Sequence, residues 1–311
     1  MRAEEFPVLY LREEKKITSK IGFALLIVLV VTAVLQIVVK GLVSLLAPQL
    51  LDNISYLWLS ALIPQYVIAY PIAIYLIWKL PKANIRQQSL NGKTLFRLFL
   101  ICYFVLILGS VIGSGVNKFL EVAFGIKPDL TMDALLEQSS LWIVFMVTVI
   151  LAPIFEELIF RKLLLDRLVK YGELPAVIAS GLLFGFYHGN FSQLFYAIFI
   201  GCIFAYIYVK TGKVKYCIFL HMTINFVGSV LPTYIFGLNN NLLLSFYGFL
   251  LVAAIIAGGI LAFKNRKFVH FSVSDYDITN REGSEIIWLN PGMILAVAVI
   301  LLLFVLNLLL V

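Results

Sequence analysis

The sequence predicts an all-α protein, a polytopic bundle of about eight or nine transmembrane helices. Of its 311 residues, 62% are hydrophobic and only 13% are charged, which excludes an ordinary soluble globular domain. Several apolar runs exceed the roughly 18 uninterrupted residues that mark a membrane-spanning helix. The charged residues gather between these runs, so the lipid bilayer is the expected environment of most of the chain.

Nine apolar runs are candidate spans, and we place them at roughly 21–46, 55–78, 95–116, 141–160, 174–188, 193–209, 216–236, 242–263 and 292–311. Three parts follow from this order. Residues 1–140 hold a tail and three helices, 141–236 a core of four helices, and 237–311 two helices separated by a polar loop at 264–290. The first run is too long for the hydrophobic region of a signal peptide, so we expect no cleaved leader.

Lysine and arginine concentrate in alternate connections. The N-terminal tail and the connections after the second, fourth, sixth and eighth runs hold most of them, whereas the other connections hold only Lys118 and Lys127. The positive-inside rule then predicts an N-terminus and a 264–290 loop in the cytoplasm and a C-terminus outside. The basic residues are not interleaved with aromatic residues as on a nucleic-acid surface, so no nucleic acid is expected as a partner.

Two adjacent carboxylates and an arginine lie at the end of the fourth apolar run. Glu157 and Arg161 are spaced i,i+4, so one helix face can hold them as an ion pair, and Glu156 lies about 100° away around the helix. Such a trio can equally end a helix, with its charges reaching the lipid headgroups. Pro153 should kink the helix and leave a carbonyl near 148–149 without its usual donor.

Two histidines and an asparagine lie in later runs. His188 ends the fifth run, and His221 and Asn225 share one face of the seventh at i,i+4 spacing. Each alone is more often a hydrogen-bonding group between helices than a catalyst. Six polar groups on three spans are hard to bury separately in lipid, which predicts one shared internal site. A Glu with a His can activate water, and a His with an Asn can donate to an oxyanion, as amide hydrolysis requires.

Other membrane-protein chemistries lack their residues. The chain has no His-Glu-x-x-His, no predicted span contains an Asp, and no sequence signal ties a base to Ser110 or Ser114. The three cysteines lie in apolar runs without metal-ligand spacing. A proton-coupled transporter would predict an internal repeat, and none is found.

Three motifs in this order resemble those of the CAAX-protease and bacteriocin-processing family, whose eukaryotic members are the type II CAAX prenyl endopeptidases. They are Glu156-Glu157-x-x-x-Arg161, Phe184-x-x-x-His188 and His221-x-x-x-Asn225. The resemblance covers roughly 141–228. It implies a helical intramembrane glutamate-type endopeptidase in the plasma membrane of a bacterium, which cleaves a peptide or a membrane-proximal protein segment.

The resemblance also implies roles for individual residues. The implied catalytic residues are Glu156, His188, His221 and Asn225, with Glu157 and Arg161 as structural support. Glu156 and His188 would activate the water, while His221 and Asn225 would form the oxyanion hole. No cofactor is favoured, although Glu156, His188 and His221 could hold zinc. Lys162 departs from the small residue that is common at its position in the family.

A non-catalytic role stays open, because bacterial relatives include membrane proteins that regulate a sensor kinase or confer immunity to a bacteriocin. In both roles, Glu156 and His188 must lie close together in one site. Glu156 lies roughly 22 Å from the outer end of its span at 1.5 Å per residue, whereas His188 falls at the outer end of a short span. We therefore expect the fourth helix to continue well past residue 161.

Overall fold

The computed structural model describes residues 5–127, 131–274 and 278–309. The parts predicted at 1–140, 264–290 and 292–311 therefore each include a few positions that lie outside the described residues. Every secondary-structure element of the described chain is helical. This confirms the predicted all-α fold.

Eleven helices follow one another in the described residues, besides a short 3₁₀ turn at Pro48–Leu50, when a helix that continues through a π or 3₁₀ turn is counted once. They are α1 (Glu5–Leu46), α2 (Ile54–Trp78), α3 (Gly92–Phe124), α4 (Thr131–Gln138), α5 (Leu141–Tyr171), α6 (Glu173–Phe186), α7 (Phe191–Thr211), α8 (Val214–Gly237), α9 (Asn241–Phe268), α10 (Asn280–Trp288) and α11 (Pro291–Leu309).

Eight of these helices are long and apolar enough to cross a membrane: α1, α2, α3, α5, α7, α8, α9 and α11. The ninth predicted run is α6, an apolar helix of 14 residues. At 1.5 Å per residue it extends about 21 Å, less than the roughly 30 Å of a bilayer's hydrocarbon core. The predicted bundle of eight or nine spans is confirmed, and α6 is its short member.

Two helices extend well beyond their predicted ends. α5 continues to Tyr171 rather than ending near 160, which confirms the expectation that the fourth helix passes residue 161. α1 begins at Glu5 rather than near 21. The reason lies in tertiary contacts: residues 12–20 are mostly polar, but Lys170 at the end of α5 pairs with Glu14 at 2.6 Å. Helix propensity and packing thus carry both helices past their apolar runs.

Glycines allow α6 to approach α7 closely. A Cβ at Gly181 would lie 2.3 Å from the Cys202 sulfur, and one at Gly185 would lie 2.8 Å from the Leu194 carbonyl oxygen. Neither position therefore accommodates a side chain. Small residues four apart let two membrane helices approach at backbone distance, and this contact fixes the end of α6 that carries His188.

The last helices pack on the first. The Thr18 hydroxyl on α1 donates to the Ile286 carbonyl at 2.7 Å, and the Gly292 amide donates to the Ser19 hydroxyl at 2.9 Å. Gly292 also allows close approach, since a Cβ there would lie 1.9 Å from the Ser19 carbonyl oxygen. α10 and α11, which come after the predicted core, are thereby joined to the N-terminal part of the chain.

Candidate active site

The site is built on an irregular stretch of α5. Two segments of α5 are π-helical, Phe145–Leu151 and Leu158–Leu163. They flank a short α-helical segment, Ala152–Glu157, whose second residue is Pro153. A proline removes one backbone donor, and π turns in membrane helices are frequent at functional sites. The Asn225 side-chain amide donates to the Thr148 carbonyl at 2.7 Å, so α8 supplies a donor where the kink was expected to leave one missing.

Glu157 and Arg161 face the interior of the bundle. Arg161 Nε lies 3.0 Å from Glu157 Oε2, and both side chains are 0% exposed. The two atoms are poorly aligned for a hydrogen bond, so the contact is chiefly an ion pair. The Arg161 guanidinium also lies over the Phe184 ring at 4.2 Å, a cation–π contact that strengthens when water is excluded.

His221 joins this pair from α8. Its Nδ1 lies 2.9 Å from Glu157 Oε1, and because a carboxylate only accepts, Nδ1 carries the proton. The opposite ring nitrogen, Nε2, lies 3.9 Å from Glu156 Oε2. Glu157 therefore neutralises Arg161 and also fixes the orientation of His221, as carboxylates do for histidines in many active sites.

Glu156 has a different environment from its neighbour. Its side chain is 18% exposed, and His221 is its one ion-pair partner among the described residues. It accepts no hydrogen bond from any group in the described chain. A carboxylate in an apolar helix without a donor is an expensive arrangement unless something else binds it.

His188 lies beyond the last turn of α6. Its Nδ1 is 2.7 Å from the Phe184 carbonyl, which makes Nδ1 the donor and leaves Nε2 as an acceptor. Phe184 lies between the two histidines, with its ring centroid 4.9 Å from His188 and 5.9 Å from His221. Glu156 lies within electrostatic range of His188, although no hydrogen bond or ion pair joins their side chains in the described chain.

The structure thus brings four of the six predicted residues into one connected cluster: Glu156, Glu157, Arg161 and His221. His188 lies across Phe184 from this cluster, and Asn225 lies one helical turn from His221 with its amide on α5. In the described chain, no three His, Cys, Asp or Glu side chains form a group that could hold a metal ion. The suggested zinc ligands Glu156, His188 and His221 are therefore not arranged as a coordination set.

Two residues of α2 border the same site, although they are not among the site residues predicted from the sequence. Tyr66 and Tyr70 pack against Phe155, the residue before Glu156, with ring centroids 5.2 Å and 5.8 Å from it. A tyrosine in an apolar run gives little signal by itself. Gln65 with Tyr66 and Tyr70 in one span is a denser polar pattern, and it was the available clue.

A second buried polar cluster lies further along α5. Asp166 accepts from Tyr208 at 2.5 Å and pairs with Lys162 at 2.9 Å, and the Lys162 ammonium also donates to Tyr208 at 3.1 Å. Lys162, the residue that departs from the family's pattern, is therefore satisfied within this cluster. Its charge does not enter the Glu156 environment as an unpaired group.

Comparison with known proteins agrees with the motifs. Residues 138–227 match the sequence model of the type II CAAX prenyl endopeptidase Rce1-like family. A Bacillus subtilis (strain 168) protein named "Putative membrane peptidase YdiL" is 25% identical over 162 residues, which are 52% of this chain and 66% of that protein. The matched region thus spans just under two thirds of the relative's length. No solved structure matches the chain.

The matched segment contains α5, α6 and α7 and the first part of α8, to residue 227, with all six site residues. The four residues of the connected cluster belong to the first and third motifs, and His188 of the second motif lies across Phe184 from them. Over residues 138–227 the chain is therefore similar in sequence to the type II CAAX prenyl endopeptidase Rce1-like family.

Proposed function

We propose that this protein is an intramembrane glutamate-type endopeptidase, which hydrolyses a peptide bond in a peptide or in a membrane-proximal protein segment. The observation that carries the proposal is the environment of Glu156. It is a carboxylate in a membrane-spanning helix, without a hydrogen-bond donor in the described chain, and 3.9 Å from a histidine that a buried ion pair holds in place.

The first chemical step is attack by water. Glu156 takes one proton from the water. The lone pair of His188 Nε2 accepts a hydrogen bond from the other hydrogen of the water and so orients the water. The water oxygen bonds to the carbonyl carbon, and the carbonyl electron pair moves to oxygen. General-base help of this kind is worth about 10²–10⁴-fold in rate.

The second part of the mechanism is stabilisation of the oxyanion. His221 as an imidazolium keeps Nδ1–H on Glu157 and offers Nε2–H to the oxyanion. Asn225 uses one amide hydrogen for Thr148 and has a second one for the same oxygen. The tetrahedral intermediate then collapses: the C–N bond breaks, and Glu156 returns its proton to the leaving amine.

We propose this mechanism without a metal. The side chains that would bind zinc do not form a coordination set in the described chain, and asparagine is a poor zinc ligand. The roles given above use only proton transfer and hydrogen bonding by the protein's own groups. We also propose a cytoplasmic N-terminus and a bacterial plasma-membrane location, which reporter fusions at both ends of the chain would test.

A peptide-cleavage assay tests the proposed function. We would reconstitute the purified full-length protein in nanodiscs and incubate it with a pool of internally quenched fluorogenic peptides. We expect cleavage by the wild type and none above background by Glu156→Gln. Glu121→Gln is the matched control, because Glu121 is on α3 with its side chain 42% exposed and paired only with Lys118. Cleavage that survives in Glu156→Gln would contradict the proposal.

A trapping experiment addresses the substrate. Glu156→Gln should retain bound substrate that the wild type releases as products, so its co-purified peptides should be enriched in uncut sequences. If wild type and variant retain the same intact peptides and neither cleaves, a binding role such as a regulator or an immunity protein is supported instead.

A further inference from the structure

Three tyrosines from two helices border the site on the side of Phe155. Tyr66 and Tyr70 come from α2, and their ring centroids lie 5.2 Å apart. Tyr187 comes from the end of α6, directly before His188, and its ring lies 5.5 Å from Phe160. α2 is outside the segment 138–227 that matches the family, so Tyr66 and Tyr70 belong to the rest of this chain, whereas Tyr187 lies within the matched segment. We call these three residues the tyrosine wall.

The hydroxyl protons of these tyrosines lack acceptors in the described chain. Tyr70 is 1% exposed, and its oxygen accepts from the Gln65 amide at 2.7 Å, but its own O–H has no acceptor there. The Tyr187 hydroxyl is buried and has no hydrogen-bond partner at all among the described residues. Tyr66 likewise makes no hydrogen bond to another described residue. An unsatisfied buried hydroxyl is destabilising.

Packing alone does not account for these hydroxyls. Phenylalanine would fill the same volume with the same ring contacts and without an unpaired donor. Tyr66 and Tyr70 both lie within electrostatic range of the Glu156 carboxylate, and Tyr187 within range of Tyr70. Two unused donors therefore lie near the one carboxylate of the site that has no donor, and the third, Tyr187, lies near Tyr70.

We propose that the hydroxyls of Tyr66, Tyr70 and Tyr187 bind the backbone carbonyl oxygens of the substrate peptide and so position its scissile bond over Glu156. This inference rests on the proposed peptidase function and names the groups that recognise the substrate. Peptide carbonyls suit these donors, because a peptide crossing into an apolar site brings acceptors that water no longer satisfies. Recognition through the backbone explains how one site can accept a segment without reading its side chains.

The test compares phenylalanine variants of the three tyrosines, which keep the ring and remove only the hydroxyl. We would measure kcat and KM with one fluorogenic peptide selected from the pool. Each variant should lower kcat/KM about 2- to 10-fold, mainly through KM, as expected for one neutral hydrogen bond. Tyr75→Phe is the matched control on α2, since Tyr75 is 59% exposed and its hydroxyl accepts a hydrogen bond from Lys79. It should behave as the wild type.

A second arm separates substrate binding from a structural role. Analogues of the peptide would each have one backbone carbonyl next to the scissile bond replaced by a methylene group. At the position that a given tyrosine binds, the analogue should weaken cleavage by the wild type but not further weaken that tyrosine's Phe variant. The melting temperature of each Phe variant should equal or exceed that of the wild type, because an unpaired buried hydroxyl has been removed.

The outcomes separate the two proposals. Wild-type cleavage with unchanged kcat/KM in all three Phe variants would overturn this inference and leave the peptidase function standing. The inference would also be overturned if the carbonyl replacement and the Phe variant lowered kcat/KM additively at every position. A lowered melting temperature with unchanged KM would overturn it as well, because either result shows a structural role. Absence of cleavage by the wild type across the peptide pool would overturn the peptidase function, and this inference with it.

Discussion

Glu156 and Glu157 are neighbours in sequence and differ in almost every physical respect. Glu157 is 0% exposed, is paired with Arg161 on one oxygen and accepts a hydrogen bond from His221 Nδ1 on the other. Glu156 is 18% exposed, has one ion contact at 3.9 Å, and accepts no hydrogen bond in the described chain. A satisfied carboxylate holds the structure, whereas an unsatisfied one is available to react. Two carboxylates separated into different environments are a recurring way to divide roles in one site.

The largest expected effect is on activity, at the unsatisfied carboxylate and its histidine. Glu156→Gln and His188→Ala should each lower kcat about 10²–10⁴-fold, because each removes a group that handles the attacking water. Their melting temperatures should remain close to that of the wild type, since the Glu156–His221 contact is long, at 3.9 Å, and His188 forms no ion pair in the described chain. Steady-state kinetics and thermal melting in the same nanodiscs measure both quantities.

His270→Ala is the control for the histidine, because His270 is exposed and bonds only the Phe268 carbonyl. It should change neither quantity. A kcat near that of the wild type in either active-site variant would contradict our distinction between a reactive Glu156 and a structural Glu157.

The next effect is on stability, at the satisfied carboxylate. Arg161→Ala leaves Glu157 buried and unpaired, and breaking a buried pair in this way costs about 3–5 kcal/mol of folding free energy. We expect a lower folded yield and a lower melting temperature, with activity lost as a consequence. Arg281→Ala breaks an i,i+4 pair with Glu285 whose arginine is 88% exposed, and it should be neutral.

A double variant sharpens this result. Glu157→Gln with Arg161→Met removes both charges, so it should be more stable than Arg161→Ala alone. It should still be inactive, because His221 loses the carboxylate that orients it. A double variant with full activity would show that Glu157 has no role in orienting His221.

Asn225 has two roles in the proposed mechanism: its amide donates to the Thr148 carbonyl on α5, and its second amide hydrogen is offered to the substrate. Asn225→Ala should lower kcat about 10²–10³-fold through the lost oxyanion donor. It should also cost about 1–3 kcal/mol of stability, because the Thr148 carbonyl loses its donor. Asn265→Ala removes an amide donated to the Leu261 carbonyl on exposed α9 and is the control. A lowered melting temperature with unchanged kcat would limit Asn225 to its structural contact.

The sequence carried more information about the polar residues than about the helices that hold them. The i,i+4 spacing of Glu157 and Arg161 predicts that both lie on one helix face. Pro153 predicts a backbone carbonyl that lacks its hydrogen-bond donor. That Asn225 supplies this donor depends on how α8 packs on α5, which no local pattern encodes. The long α1 depends in the same way on partners distant in sequence, such as Lys170.

The tyrosine wall is a second example of contacts between helices that local sequence does not predict. Tyr66 and Tyr70 are amphipathic residues that an apolar span tolerates at many positions, so their presence did not reveal a site. Only the tertiary arrangement shows that both pack on Phe155 and lie beside Glu156. Residues whose role depends on a neighbour from another helix are those that sequence spacing cannot identify.

The smallest expected effect is that of a chelator, and it tests whether Glu156 acts as a base or as a ligand. Phenanthroline treatment followed by desalting should leave kcat and KM of the wild type within about twofold of the untreated protein. The reason is that water activation here needs only a carboxylate and an imidazole, and the described chain forms no three-residue metal-ligand group. A zinc peptidase treated in parallel confirms that the chelator works. Loss of activity that returns on adding zinc, with about one zinc per chain by elemental analysis, would make Glu156 a ligand and assign the water's activation to the metal.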